Sequence, residues 1–268
     1  MRNAGLCLFA LVLLTISTIT QGWASNGMVT EPADTMGMGK FKLELSGAYT
    51  KIDADITRFE GAQIGITTQP YLGVLPFLDV SVKVPLFYTM PKVGDGYFEI
   101  GDMDIWTKVM IIDPHKKPVG VGTLVVVTVP TGKEEVTTEH PYPTGSGAYA
   151  FYIKGLVSKY FMLDLFGLHG NFGYHRENIG GDPLPRGAPA PNYFDWSGAA
   201  DFRLWKFVYT YAEVFGNFQP GSDAKPVNVG IGLCVGFSPL FTVDIGATFG
   251  AKDSSEKYSI FTMLSLGF

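Results

Sequence analysis

Cysteine is almost absent from this chain. Its 268 residues include two, Cys7 and Cys234. The first lies in a segment read below as removed on export, so no intramolecular disulfide can brace what remains. Charge is scarce as well: Asp, Glu, Lys and Arg make up 17% of the residues, against about a quarter in ordinary soluble domains. The net charge is −5 with no cluster of basic residues, which argues against a nucleic-acid partner. None of the four histidines pairs with another histidine or a cysteine at ligand spacing, so the sequence offers no metal site. Gly37-Met38-Gly39 is no phosphate loop because no helical pattern follows it, and the sequence points to no cofactor. After residue 24 no run of 18 apolar residues occurs, which excludes a spanning helix.

What is present begins with an export signal. Arg2 precedes an apolar stretch from Ala4 to Leu14, and Gly22-Trp23-Ala24 closes it with small residues at the −3 and −1 positions. This predicts a signal peptide over 1–24 with cleavage between Ala24 and Ser25. The mature chain then has 268 − 24 = 244 residues, and losing Arg2 moves the charge from −5 to −6. Residues 25–40, SNGMVTEPADTMGMGK, carry no periodicity and read as a flexible lead-in, too short to make a plug domain.

From residue 41 onward the apolar residues recur with period two. In FKLELSGAYT, Phe41, Leu43, Leu45, Gly47 and Tyr49 alternate with Lys42, Glu44, Ser46, Ala48 and Thr50. The same alternation fills 77–88, 194–205 and 227–237, as expected of strands with one apolar face and one polar or small face. Twelve strands are expected, at 41–50, 62–71, 77–88, 101–112, 119–130, 147–158, 162–174, 194–204, 207–217, 227–237, 241–250 and 257–268. Connections on one side are tight (LGVLP, DPHKKPVG, KYF, WK, SPL), and those on the other are long and polar, up to HRENIGGDPLPRGAPAPNY at 175–193. An even number of strands near ten residues long, with short turns at one end and long loops at the other, predicts an all-β, transmembrane, antiparallel up-and-down barrel over 41–268. A soluble β-sandwich gives the same alternation, but its second face should carry ordinary surface charge. Here that face is mostly Gly, Ser, Ala and Thr. The expected location is the outer membrane of a Gram-negative bacterium, with lipid as a neighbour.

Several stretches carry a resemblance: GDMDIWTKV (101–109), VVVTVPTG (125–132), GSGAYAFYIKGLVSKYF (145–161), HGNFGY (169–174), VGFSPLFTVDIGATFG (235–250) and the terminal YSIFTMLSLGF. In their order and spacing the chain resembles the MetA-pathway phenol-degradation family of outer-membrane transporters. The resemblance implies an outer-membrane barrel associated with uptake of small, often aromatic or hydrophobic, compounds. It transfers no catalytic residues and does not by itself make phenol the substrate.

A Lys or Arg facing lipid at mid-bilayer costs about 2–4 kcal/mol, so mid-strand charges should point inward. The candidate pore lining by parity is Lys42, Glu44, Lys83, Asp102, Asp104, Lys108, Lys154, Asp201, Arg203, Glu213 and Asp244. These side chains either confer selectivity on a lumen of mixed sign or pair across it and plug it; barrel size alone leaves both open. Inward Gly120, Gly122, Gly230, Gly232 and Gly236 leave room, and Tyr152, Tyr209, Tyr211 and Phe215 are placed to stack on an aromatic solute. Trp106 shares the inward parity of Asp104 and Lys108. Tyr49, Tyr71, Tyr88, Tyr149, Tyr174, Trp196 and Tyr258, near strand ends, are expected in interfacial girdles.

Three functional classes follow: a channel or transporter passing small solutes passively, an outer-membrane enzyme acting on lipid, and a closed barrel with a binding or envelope-support role. The enzyme needs a nucleophile and a base. Only His115, His140, His169 and His175 could serve as base, and of these His169 shares an inward face with Asn171. An Asn–His–Ser arrangement is thus open, without a nucleophile motif beside it. The non-enzymatic class is the expectation. The final strand, KYSIFTMLSLGF, places Tyr258, Ile260, Leu264, Leu266 and Phe268 on one parity and ends on an aromatic residue. It resembles the C-terminal signal read by the outer-membrane barrel assembly machinery.

Overall fold

The computed structural model describes residues 30–52, 61–92, 94–133, 144–162, 164–179, 192–221, 225–238, 240–251 and 258–268. The Ala24–Ser25 junction and 180–191 of the longest loop lie outside the described residues. The strands are β1 Phe41–Ile52, β2 Gly61–Leu75, β3 Leu78–Pro91, β4 Tyr97–Ile100, β5 Met103–Ile112, β6 Gly120–Val129 and β7 Tyr149–Phe161. They continue with β8 Phe166–Ile179, β9 Asn192–Trp205, β10 Val208–Phe218, β11 Val227–Ser238, β12 Phe241–Gly250 and β13 Tyr258–Gly267. Each pairs antiparallel with its neighbours, and β1 pairs with β13 from Lys42↔Gly267 to Tyr49↔Ile260. That pairing closes the wall, so neither β1 nor β13 is left as an edge facing lipid. At the seam Phe268 N–H donates to Phe41 O at 2.7 Å and Phe41 N–H to Phe268 O at 3.1 Å.

Burial is inverted relative to a soluble protein. The buried side chains include Asp79, Ser81, Lys154, Asn171, Asp201, Glu213 and Asp244, whereas Ile105, Phe172, Ile231, Ile245 and Ile260 are exposed. An apolar outside and a polar inside is the arrangement that lipid selects.

The fourth stave carries more than the strand expected at 101–112, which is β5; Tyr97–Ile100, expected in the loop before it, add β4. It is two pieces, β4 and β5, which both pair with β3: Leu86↔Ile100 above, Lys83↔Asp104 below. Pro85, between these registers, has no N–H to give the ladder. Its carbonyl instead accepts Gly101 N–H at 2.9 Å. Asp102 turns its carboxylate to Gly132 N–H (2.9 Å), Ser146 N–H (2.7 Å) and Ser146 Oγ–H (2.8 Å). Counting β4 and β5 together, the wall has twelve staves.

Two other expectations are corrected. Lys159–Phe161, read as a turn, completes β7, and the turn follows it, with Met162 (φ 52°) and Asp164 (φ 62°) left-handed. Tyr71, expected in a girdle, faces the lumen with the Lys42 ammonium 4.4 Å from its ring centre.

Candidate functional site

The largest difference from the sequence reading is the lead-in. Residues 30–40 are not a tail outside the barrel; they form a strap across its interior. At the periplasmic mouth Gly39 N–H donates to Gly73 O (2.7 Å) and Gly73 N–H to Lys40 O (2.9 Å). A Cβ on Gly73 would sit 1.9 Å from Gly37 O, so only glycine permits this approach. The strap then passes from wall to wall. Met36 N–H donates to Asp79 on β3 (2.9 Å), Ala33 N–H to Ser158 Oγ on β7 (2.8 Å) and Glu31 N–H to Asn171 Oδ1 on β8 (2.7 Å). Thr30 donates its N–H (3.2 Å) and hydroxyl (3.1 Å) to Glu213 on β10. Ala33 packs with Leu124, Val126 and Leu156, with Trp106 and Tyr152 against that cluster. The chain approaches β6 closely there: a Cβ on Gly122 would be 3.0 Å from Ala33 O.

One anchor has the composition of a hydrolytic triad. Ser158 Oγ is 2.8 Å from His169 Nδ1, and His169 Nε2 is 2.7 Å from Asp201 Oδ2. Asp201 can only accept when ionised, so Nε2 carries the proton, and bare Nδ1 accepts from the Ser158 hydroxyl. The Ser158 oxygen is then the acceptor for Ala33 N–H. Every donor in this relay has its acceptor, and Ser158 is 0% exposed beneath the strap. A nucleophile needs its oxygen free and reachable; this one holds the backbone. Asn171, the partner envisaged for His169 from sequence, instead binds Glu31 at both ends: its Nδ2 donates to Glu31 O at 2.8 Å. Ser158 was missed because the link is across strands, though its pairing with His169 follows from the tight β7–β8 turn.

The strap's contacts divide the lumen. On the β7–β9 side, polar side chains fill it: Lys154 meets Asp195 at 3.2 Å, Tyr152 O–H donates to Asp195 at 2.6 Å, and His175 meets Tyr193. Against β1, β2, β3, β5 and β13 a cavity of about 510 Å³ remains. Of the candidate charges, Lys42, Glu44, Lys83, Asp102, Asp104 and Lys108 line it. The lysines among them are engaged: Lys42–Glu44 at 2.7 Å, Lys83–Asp104 at 3.9 Å and Lys108–Glu31 at 3.4 Å.

The other candidates stand away from the cavity. Lys154 belongs to the filled side, Asp201 and Glu213 hold the strap, and Asp244 is fully buried, paired across strands with Cys234. Arg203 lies at the periplasmic rim, its Nε donating to Asp164 O at 3.2 Å. The aromatics on the cavity are Tyr71, Phe87, Trp106 and Phe261; Tyr152, Tyr209, Tyr211 and Phe215, placed inward by parity, are not among its lining. Gly230 and Gly232 make room for Glu213 and Tyr211, which lie down on them, rather than for a solute.

A family profile described as "Putative MetA-pathway of phenol degradation" matches residues 33–268. The chain belongs to that family. No protein of curated function matches the sequence. Among solved structures, the family member is similar to the COG4313 outer membrane channel from Pseudomonas putida F1. The TM-score is 0.64 at 9% identity, over 88% of this chain and 98% of that one. The NanC porin gives a TM-score of 0.57 at 9% identity, covering 84% and 98%. The β domain of the Bordetella autotransporter BrkA gives 0.52 at 10% identity, covering 87% and 100%. At these identities the likeness shows the fold: a β-barrel of the Gram-negative outer membrane.

Proposed function

We propose that this barrel is a passive, non-enzymatic route for small solutes, with hydrophobic and aromatic compounds favoured. The observation that carries the reading is the lumenal cavity of about 510 Å³ left between the strap and the wall, with Phe87, Trp106 and Phe261 on its lining. A barrel built only for envelope support gains nothing from an unfilled half. The family's link to phenol degradation and the channel activity named for the Pseudomonas structure agree with this reading. The lipid-enzyme reading is disfavoured by the Ser158–His169–Asp201 relay, whose serine is enclosed and already holds Ala33. Outer-membrane lipid around the apolar wall and the barrel assembly machinery complete the proposed partners.

The test is uptake of small aromatic solutes into liposomes carrying the purified barrel, with conductance recorded in parallel in a planar bilayer. Uptake above protein-free liposomes is expected. Uptake equal to theirs, together with a silent bilayer at several voltages, would favour the closed, envelope-supporting barrel.

A further inference from the structure

Four residues form one level of the cavity wall. Phe261 on β13 pairs with Ala48 on β1, Ala48 with Gly65 on β2, and Gly65 with Phe87 on β3. All four line the cavity. Strands lie about 4.8 Å apart, so the two phenylalanines stand roughly 14 Å apart across a floor of Ala48 and Gly65. The Phe261 ring stays off that floor, while the Phe87 ring reaches its edge, 3.3 Å from where a Cβ on Gly65 would lie. A Cβ on Gly246 would meet the Phe261 ring at 2.2 Å, and one on Gly101 would meet the Phe87 ring at 2.6 Å, so both rings lie down over glycine backbone. The result is a smooth apolar shelf with an aromatic edge at each side.

Four residues toward the periplasm on the same strand and the same face is Gln69. It lines the cavity and is 7% exposed, yet its Nε2 has no hydrogen-bond partner among the described residues. A buried amide donor without an acceptor bears the full desolvation penalty of that group, which a ligand oxygen would relieve. The surrounding charges limit what that oxygen can belong to. Each cavity lysine already faces a carboxylate. The lining holds six carboxylates (of Glu31, Asp34, Glu44, Asp79, Asp102 and Asp104) against three lysines. An anion would find no free cation and an excess of its own sign.

We propose that the cavity is a binding site for an uncharged amphipathic molecule. Its ring or short hydrocarbon body lies on the Ala48–Gly65 shelf between Phe87 and Phe261, and its oxygen accepts from Gln69 Nε2. At about 3.4 Å rise per residue, with the Gln69 side chain reaching back, the body is roughly 10 Å long. The proposal rests on reading the lumen as a solute route and names the chemistry that route selects.

Three probes share one skeleton: 4-phenyl-2-butanone (neutral acceptor), butylbenzene (no acceptor) and 3-phenylpropionate (anion). Their dissociation constants are measured on the full-length barrel in lipid nanodiscs, with partition into empty nanodiscs subtracted. The ketone should bind about tenfold tighter than the hydrocarbon, the value of one buried hydrogen bond, and tighter than the anion. In Gln69→Leu, checked for assembly by heat-dependent gel migration, the ketone and hydrocarbon should become equal; Gln69→Met serves if Leu does not assemble. Gly65→Val, which fills the shelf, should weaken ketone and hydrocarbon by the same factor and keep their ratio. A ratio unchanged without Gln69, an anion binding as tightly as the ketone, or Gly65→Val leaving both affinities intact would each overturn the site. Liposome uptake separates the two readings. A ketone that binds as described but does not cross defeats the route and spares the site; one that crosses without Gln69-dependent binding does the reverse.

Discussion

Ser158 connects the wall to the strap through one oxygen, which donates to His169 and accepts from Ala33. Replacing Ser158 with Ala leaves the Ala33 N–H and His169 Nδ1 without partners inside the lumen. Losing such a buried partner costs about 1–3 kcal/mol. Amide hydrogen exchange at Ala33 should therefore quicken by tenfold or more in Ser158→Ala, while exchange in β7 and β8 stays slow; an unchanged Ala33 amide would contradict the relay. His115 supplies a further hold on the strap from the periplasmic β5–β6 turn. Its ring stacks on Tyr160 at 5.0 Å and lies 4.0 Å from Asp34 and 3.7 Å from Asp164. The Asp34 carboxylate beside it raises its pKa above the ordinary imidazole value, with Asp164 and Asp113 adding to the shift and partial burial opposing it. A raised folded pKa means the contribution is complete below about 6.5 and is lost as pH climbs through the raised value. Protection factors over residues 34–36, corrected for intrinsic exchange, should fall from pH 6 to pH 9, and His115→Asn should flatten that dependence.

The strap and the staves differ in how far the sequence reveals them. A stave declares itself by period two, because one face meets lipid and the other does not; FKLELSGAYT and VNVGIGLCVGF are legible for that reason. The strap has no face to alternate. Thr30, Ala33 and Met36 meet residues 183, 125 and 43 positions away, and no local pattern encodes such distances. The break at Gly101–Asp102 is a change of phase, with Phe98 and Ile100 outward before it and Ile105 outward after it, but its cause, the contacts of Asp102 with Gly132 and Ser146, is non-local. Parity places Lys42, Lys83, Asp104 and Trp106 inside, and all four line the cavity. It could not show that the lysines would pair, or that Phe87 and Phe261 would border the open space. At this scale, removing residues 30–36 should enlarge the lumen while leaving the wall closed, since the strap contributes no strand. Single-channel conductance should rise severalfold with heat-dependent migration unchanged. Conductance equal to the parent barrel's would mean that the strap does not limit passage.

At the scale of the whole molecule, the barrel is held by closure, and closure ends on Phe268. Its reciprocal hydrogen bonds with Phe41 and the 5.7 Å approach of their rings lie at the last register of the seam. Ile260 and Phe268 are exposed on the lipid side of β13, while Leu266, of the same parity, is covered by its neighbours. Deleting Phe268 removes two of the many hydrogen bonds that close the barrel, so a finished barrel should lose little. If β13 also carries the assembly signal, the amount of barrel in the membrane should fall far more than its thermal stability. Membrane yield and unfolding temperature, measured on one preparation, check this; normal yield would refute it. The half-open lumen is proposed as a passage for small solutes. Uptake of 4-phenyl-2-butanone by liposomes carrying the intact barrel, compared with protein-free liposomes and with the barrel lacking residues 30–36, tests it most directly. Uptake above the protein-free rate is expected for the intact barrel, and faster uptake without the strap. Uptake at the protein-free rate in both preparations would contradict it.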